Sequence, residues 1–526
     1  MKLIKLKLND NFRSLKSGFE LDFLQEEPKD EFEPYAIVGR NGSGKSNILE
    51  LLVAIFYNLE LRCLNFLPDI FEDEERADKI DTKVQSPNAY ELEYIKGNAH
   101  IIITKPKDEY AKISKNGKEI QSKEELKEVL PKYIIGYSSG ENEILSLPFY
   151  KMRFIQYDEY LHYLTNDINY QTPESGLVYL DNIFSQAIFL TNFLLSDKAV
   201  LKIFEDDLGI KSVRQFRIIL KQNYRESMSE EYLYTTDEKI DTELTSGLQS
   251  KIDFLISCST LHYKDEASGE LIMDFYINNV LKNAFKRFFG TGLELFELFQ
   301  TLILLNQYQA DDELKDKIYK SNSLYAKARI PILPWEDRIF KFKDFWIDKN
   351  DNRILSKSLS DGEHQFLHTI GLALLYKDTP SLFLLDEPET HFNPAWRAKY
   401  ISTLKKCFDG DSISPEVLIT SHSPFIVSDS NPDNVLIFEK NEQNIVTCKR
   451  PDFNTFGASI NKITIKVFEK SETIGDMAKA KLEEFKQRIA NEEDINKLIY
   501  EVEHTLGDSV EKILLLKELF AKREGK

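Results

Sequence analysis

The sequence predicts an α/β chain, a mixed sheet with flanking helices, that carries a large helical insertion and a short helical C-terminal segment. Three observations predict it. A glycine-rich loop, Gly39 to Ser46, stands between a short apolar run and a stretch of helical periodicity. A second apolar run, Ser381 to Leu385, ends in two adjacent carboxylates, Asp386 and Glu387. Between these two regions, from about 160 to 330, apolar residues recur at helical spacing.

Each element follows from its local pattern. Met1 to Leu8 alternates like a strand, and so does Phe19 to Phe23. Tyr35 to Val38 is short and wholly apolar, as a strand buried on both faces should be. Asn47 to Tyr57 has helical periodicity. Residues 67–88 are acidic around Glu72-Asp73-Glu74-Glu75 and read as a solvated loop, not a metal cluster. Residues 89–121 read as a hairpin region, with Lys115-Asn116-Gly117-Lys118 as its turn. Ile183–Leu195, Val200–Leu208, Val213–Tyr224 and Leu281–Leu305 are expected to be helices. They show no sustained heptad, so a long coiled coil is not expected. The α/β pattern resumes near 340. Residues 470–526 read as two or three charged amphipathic helices, with Gly507-Asp508-Ser509 as a stop-and-cap signal. The expected divisions are 1–160 and 336–455 as two parts of one head, 161–335 as a mainly helical insertion, and 456–526 as a C-terminal helical segment.

Composition narrows the function. At 526 residues the chain holds several domains, or one domain with a large insertion. Apolar residues make up 42% and charged residues 29%, which is a globular composition. A net charge of −19 argues against coating of nucleic acid, while leaving a local basic groove open. The four cysteines, Cys63, Cys258, Cys407 and Cys448, lie far apart and indicate neither a zinc site nor a disulfide framework. The N-terminus lacks the apolar core of a signal peptide, and no run approaches the ~20 apolar residues of a membrane span. The expectation is a cytoplasmic chain with reduced thiols and no membrane segment.

The chemistry is concentrated in a few short motifs. Gly39-Arg40-Asn41-Gly42-Ser43-Gly44-Lys45-Ser46, with Asn47 beside it, matches the phosphate-binding loop. Its glycines let backbone N–H groups turn inward around phosphate oxygens, and the following helix start adds favourable dipole charge. Lys45 is placed to reach the β and γ phosphates, and Ser46 to ligate Mg²⁺. Asp386 is placed to hold the same Mg²⁺ through water, and Glu387 to polarise an attacking water. ATP and Mg²⁺ are therefore the expected ligands.

Leu359-Ser360-Asp361-Gly362-Glu363-His364-Gln365 comes next, and here the chain resembles the ATP-binding cassette superfamily. Leu-Ser-Asp-Gly-Glu is similar to the Leu-Ser-Gly-Gly-Gln signature, which contacts the γ phosphate held by a partner subunit. The resemblance implies that role for Ser360, Asp361, Gly362 and Glu363. Read alone, Ser360 could equally be a helix cap. Val417 to Pro424 ends a strand in His422, matching the superfamily's γ-phosphate histidine. Glu389 to Pro394, with His391, resembles the loop that crosses the dimer interface. Asn11-Phe12-Arg13-Ser14 looks like the first-strand motif of the RecF- and SMC-like branch, where Arg13 would touch phosphate; a plain surface arginine is the other reading. The superfamily's metal-binding glutamine is represented by Gln156, with Ser138, Ser139 and Glu141 as alternatives.

The branch is read from wording. Asp386-Glu387-Pro388-Glu389-Thr390-His391 and Thr420-Ser421-His422-Ser423-Pro424 resemble RecF-like AAA ATPases of bacterial defence islands, closest to the PtuA family of Septu and retron anti-phage systems. Tyr133 to Asn142, Phe12 to Phe19 and Phe456 to Asn461 look like the same group. The resemblance implies a homodimer, or a higher oligomer of dimers. It also implies a PtuB-like HNH nuclease partner, with DNA or retron RNA/DNA engaged through the complex. ATP hydrolysis would gate that nuclease. The alternatives are a nucleotide-dependent scaffold with little turnover and a RecF-like DNA-repair ATPase.

Overall fold

The computed structural model describes residues 1–71 except 25–31, 87–221 except 141, 167, 171 and 180, 244–321 except 308, 309 and 311, 333–408, 415–469, and 475–524 except 492. The acidic run at Glu72–Glu75 lies outside the described residues. The chain divides into two compact units, Met1–Ala458 and Ser459–Lys526.

A seven-stranded sheet organises the first unit. Its spatial order is Val446–Lys449, Val435–Lys440, Tyr35–Gly39, Glu416–Ser421, Ser381–Asp386, Tyr133–Ser138, Leu177–Tyr179. All neighbours are parallel except the Val435–Lys440/Val446–Lys449 hairpin. The four central strands are apolar and buried almost throughout, as strands covered on both faces must be. Their parallel register brings Gly39, Ser421, Asp386 and Ser138 to one sheet edge.

A six-stranded antiparallel sheet, built on Lys2–Leu8 and Tyr90–Lys96, covers the other side of the helix Lys45–Leu61. Leu3, Leu6, Leu92 and Tyr94 of this sheet share one apolar core with Leu49, Leu52 and Phe56 of the helix and Leu384 and Leu418 of the parallel sheet. That double covering explains why Lys45–Leu61 is buried on nearly all faces. Glu416 fastens the N-terminus: its Oε1 accepts from Leu3 N at 3.1 Å, and Lys2 Nζ lies 3.3 Å from Oε2. The turn at Asn116-Gly117 falls where expected, with both residues at positive φ, 52° and 79°.

The insertion is helical over Ser185–Leu195, Lys198–Leu208, Ser246–Cys258, Asn279–Phe289 and Gly292–Leu304. It also contributes to a five-stranded antiparallel sheet, in the order Leu261–Asp265, Glu270–Tyr276, Ile210–Lys221, Phe340–Lys349, Asn352–Leu355. The helix expected over Val213–Tyr224 is therefore a strand as far as Lys221, and residues 222–224 lie outside the described residues. Bulges break its pairing with Phe340–Lys349 in three places. Each bulge shifts the alternation by one residue, and the broken pattern then mimics helical spacing. The expected single run Leu281–Leu305 is two helices parted at Gly290, φ 68°.

In the second unit, Asp476–Ala490, Ile495–Thr505 and Val510–Arg523 enclose a small core of Leu482, Phe485, Leu498, Val502, Leu515 and Leu519. Ser509 caps the last helix through Lys512 N at 3.0 Å. Among the described residues, no single helix is long and apolar enough to cross a membrane.

Candidate active site

The phosphate loop turns at the end of strand Tyr35–Gly39, and two of its glycines are sterically required. A Cβ on Gly39 would lie 2.1 Å from the Phe438 carbonyl oxygen. Gly44, at φ 94°, caps the helix in the left-handed region and packs against Ser14 Oγ and Val446.

Lys45 Nζ turns back into this loop. It donates to the carbonyls of Gly39 (3.2 Å) and Arg40 (3.1 Å) and lies 2.9 Å from His422 Nε2. Burial lowers its pKa to about 8, despite the opposing pull of Glu387 and Asp386. His422 Nε2 is also 3.2 Å from Glu387 Oε1, so this one nitrogen faces both groups and either accepts from the ammonium or, when protonated, donates to the carboxylate. The His422 hydrogen bond holds the Glu387 carboxyl below its usual range.

Glu387 adopts φ 50°, a backbone region that residues other than glycine seldom occupy. Its N–H is anchored by both Thr420 Oγ1 and the Thr420 carbonyl, each at 3.1 Å. The bend turns Glu387 out of the strand direction while Asp386 stays in line. Asp386 Oδ1 accepts from Ser46 Oγ at 2.8 Å and Thr420 Oγ1 at 2.6 Å. Asp386 Oδ2 accepts from Asn142 Nδ2 at 3.0 Å and Ser138 Oγ at 3.4 Å. Four hydroxyl or amide donors thus surround one carboxylate.

Gln156 is not part of this cluster, which corrects its assignment as a metal ligand. It is buried in helix Glu143–Thr165 and donates to the Ser175 carbonyl at 3.3 Å. Asn142 stands at Asp386 instead. Its Oδ1 caps that helix through Ile144 N and Leu145 N, and its Nδ2 remains free to reach Asp386. A single amide serves both because it carries a donor and an acceptor. The signal was an Asn four residues beyond the end of an apolar strand and directly before a helix. Glu50 is a second residue not anticipated. It is a carboxylate among apolar helix positions, near Asn47 Nδ2 (2.9 Å) and Asn142 Nδ2 (3.4 Å), with its pKa raised by burial.

Arg13 sits in a tight turn closed by the Phe12–Leu15 bridge, at φ 54°. Its Nε lies 3.9 Å from Glu50 Oε2, and Ser14 hydrogen-bonds Asn47, so the turn is docked on the phosphate-loop helix. Ser360 caps helix Asp361–Tyr376 in a capping box with Glu363: Ser360 N donates to Glu363 Oε2 at 2.9 Å. Lys349 pairs with the other oxygen of Glu363. Ser360 and Asp361 are exposed, and the hydrogen bonds of Ser360 and Glu363 run to each other and to Lys349, away from Lys45. Gly362 lets the His391 carbonyl approach, since a Cβ there would meet it at 2.6 Å. His391 is exposed, and its N–H donates to Gln365 Oε1 at 2.9 Å. Arg40, Asn41 and Gly42 form the exposed rim of the loop.

These residues suit a magnesium–triphosphate. Ser43 Oγ and Arg13 Nε are buried with no hydrogen-bond partner among the described residues, and Lys45 is a buried cation facing neutral carbonyls. Buried polar groups of this kind need partners, and phosphate oxygens would supply them. The Ser46–Asp386 pair offers oxygen ligands of the hard type that Mg²⁺ takes.

A family model described as AAA ATPase domain matches residues 1–427. Protein ea59 of Escherichia phage lambda is 27% identical over 128 residues, 24% of this chain and 23% of that protein, so the match spans about a quarter of each. Among solved structures, the SmcHead bound to the C-winged helix domain of ScpA aligns over 86% of this chain and 98% of that chain, at 13% identity and TM-score 0.37. The recombination mediator protein RecF aligns over 85% and 97%, at 16% identity and TM-score 0.30. The α/β fold expected from the sequence, a mixed sheet with flanking helices and a glycine-rich loop between its strand Tyr35–Gly39 and helix Lys45–Leu61, is the fold observed.

Proposed function

The chain belongs to the AAA ATPase domain family and is by that membership a nucleotide-dependent ATPase, and from that premise we propose that it is an ATP-gated dimer regulating a nuclease partner in anti-phage defence. The observation that carries the ATPase part is the convergence of Lys45, Ser46, Asp386, Glu387 and His422 on one sheet edge, from segments far apart in sequence. Lys45 and the loop amides would hold the β and γ phosphates, and Ser46 and Asp386 would hold Mg²⁺. Mg²⁺ held by these two residues would supply positive charge against the phosphates. Glu387 would accept the hydrogen bond of the attacking water, with His422 positioning the carboxylate.

The dimer is supported by the exposed signature. Ser360 and Asp361 face solvent, at a helix start suited to an anion. In a closed two-fold pair, Ser360 of each protomer would meet the phosphate held by Lys45 of the other. ATP would close the pair, and hydrolysis would open it. The defence role and an HNH partner are supported by the resemblance of Asp386–His391 and Thr420–Pro424 to the PtuA family. Light scattering of Glu387→Gln tests the dimer: its mass should double with Mg²⁺-ATP, and Ser360→Arg should stay monomeric. Nuclease activity of the purified chain alone would contradict the division of labour.

A further inference from the structure

A cavity of about 710 Å³ lies away from the phosphate loop, where Phe340–Lys349 meets helices Glu143–Thr165 and Gly292–Leu304. Its size falls in the ~300–1,000 Å³ range of small-molecule sites. The chain as a whole carries a charge of −19. The cavity wall reverses that sign, with five cationic side chains against two carboxylates.

Two of those cations are already satisfied and form a rigid floor. Arg153 is buried, bonded to Asp181 Oδ2 at 3.2 Å and the Tyr179 carbonyl at 3.1 Å, and lies over the rings of Tyr150 and Phe184. Lys341 is buried and bonded to Glu270 Oε1 at 2.7 Å. The other three, Arg338, Lys343 and Lys357, have no ion-pair partner among the described residues. Cations without a carboxylate partner, clustered at a concave wall, attract an anion more strongly than the same charges on a flat surface.

The wall also presents a large aromatic face. Trp335 is 38% exposed, unlike most of the described aromatic residues. It is held in place by Lys341, 4.3 Å from its ring centroid, and by Lys343, 5.4 Å away. An indole fixed by cations and open on its remaining surface is a stacking platform.

We propose that this cavity binds a second nucleotide-class ligand: a base stacked on Trp335, with its phosphate on Lys343, Lys357 and Arg338. This goes beyond the ATP site and uses none of its residues. The same chemistry is presented by a free mono- or dinucleotide and by the end of a single strand. Ser356 and Lys357 line the cavity and run directly into Leu359 and Ser360, so an occupant would lie next to the signature helix.

The test is calorimetry on the full chain carrying Lys45→Ala, which removes competition from the ATP site. The probes are 5′-phosphorylated dA dinucleotide, AMP, inorganic phosphate, and a 5′-phosphorylated dA 20-mer. The proposal expects the dinucleotide to bind and inorganic phosphate not to. It expects Trp335→Ala and, separately, Lys343→Glu to weaken binding at least tenfold; both residues are exposed, and unchanged melting temperatures would show that the variants fold. Equal affinity for dinucleotide and 20-mer assigns the site to a free nucleotide. Tighter binding of the 20-mer, still lost in Trp335→Ala, assigns it to a strand end. Absence of binding at millimolar probe, or binding that survives both substitutions, overturns the proposal.

Discussion

The Ser46 hydroxyl donates to Asp386 Oδ1 across 2.8 Å, joining the phosphate-loop helix to the strand that ends in Asp386 and Glu387. Metal binding would place a cation between two groups that already share a hydrogen bond. Ser46→Ala and Asp386→Asn should each raise the Mg²⁺ concentration needed for half-maximal ATP turnover by at least about tenfold. Magnesium titrations at saturating ATP check this.

Asn142 and Gln156 make opposite predictions. Asn142 Nδ2 contacts Asp386, whereas Gln156 contacts the Ser175 carbonyl. Asn142→Ala should therefore raise the Mg²⁺ requirement by roughly 10–100-fold, the usual effect of losing an outer partner of a metal ligand. Gln156→Ala should leave it unchanged. The same titration separates the two.

Lys45 titrates at about 8 in the free protein because burial disfavours its charge. Only the ammonium form pairs with triphosphate. As pH rises above about 8, nucleotide binding must take up a proton, and the ATP dissociation constant should climb up to tenfold per pH unit. Fluorescent-nucleotide titrations between pH 7 and 9.5 read this directly, and a flat profile would contradict it.

Three buried carboxyls set a stability slope. Burial raises Glu60 and Glu159 to about 8 and Glu389 to about 7, from an ordinary value of 4.5. Between those limits the folded chain holds protons that the unfolded chain has lost. Stability should therefore be greatest at the acid end of this window and fall as pH rises through 7 and 8. Glu60→Gln should flatten the slope, as read by urea midpoints from pH 5.5 to 8.5.

What was legible in the sequence is what repeats locally. The phosphate loop, the apolar run into Asp386-Glu387 and the strand before His422 each carry their meaning within about ten residues. The strand Ile210–Lys221 was not legible, because its bulges are answers to the partner strand Phe340–Lys349, more than a hundred residues away. Asn142 was hidden for a related reason. Its cap role is local, but its contact with Asp386 exists only after two parallel strands pair in register. Glu50 could be noticed as a charge in an apolar helix, but nothing nearby in sequence names Arg13 or Asn142 as its neighbours.

Glu387, at φ 50° and held by His422, is the residue proposed to drive ATP hydrolysis. The most direct measurement is steady-state phosphate release by the wild-type chain beside Glu387→Gln, with Mg²⁺-ATP, together with nucleotide affinity for both. The expected result is turnover in the wild type and a loss of about 10²-fold or more in the variant, with ATP still bound. Equal turnover in the two proteins would contradict it.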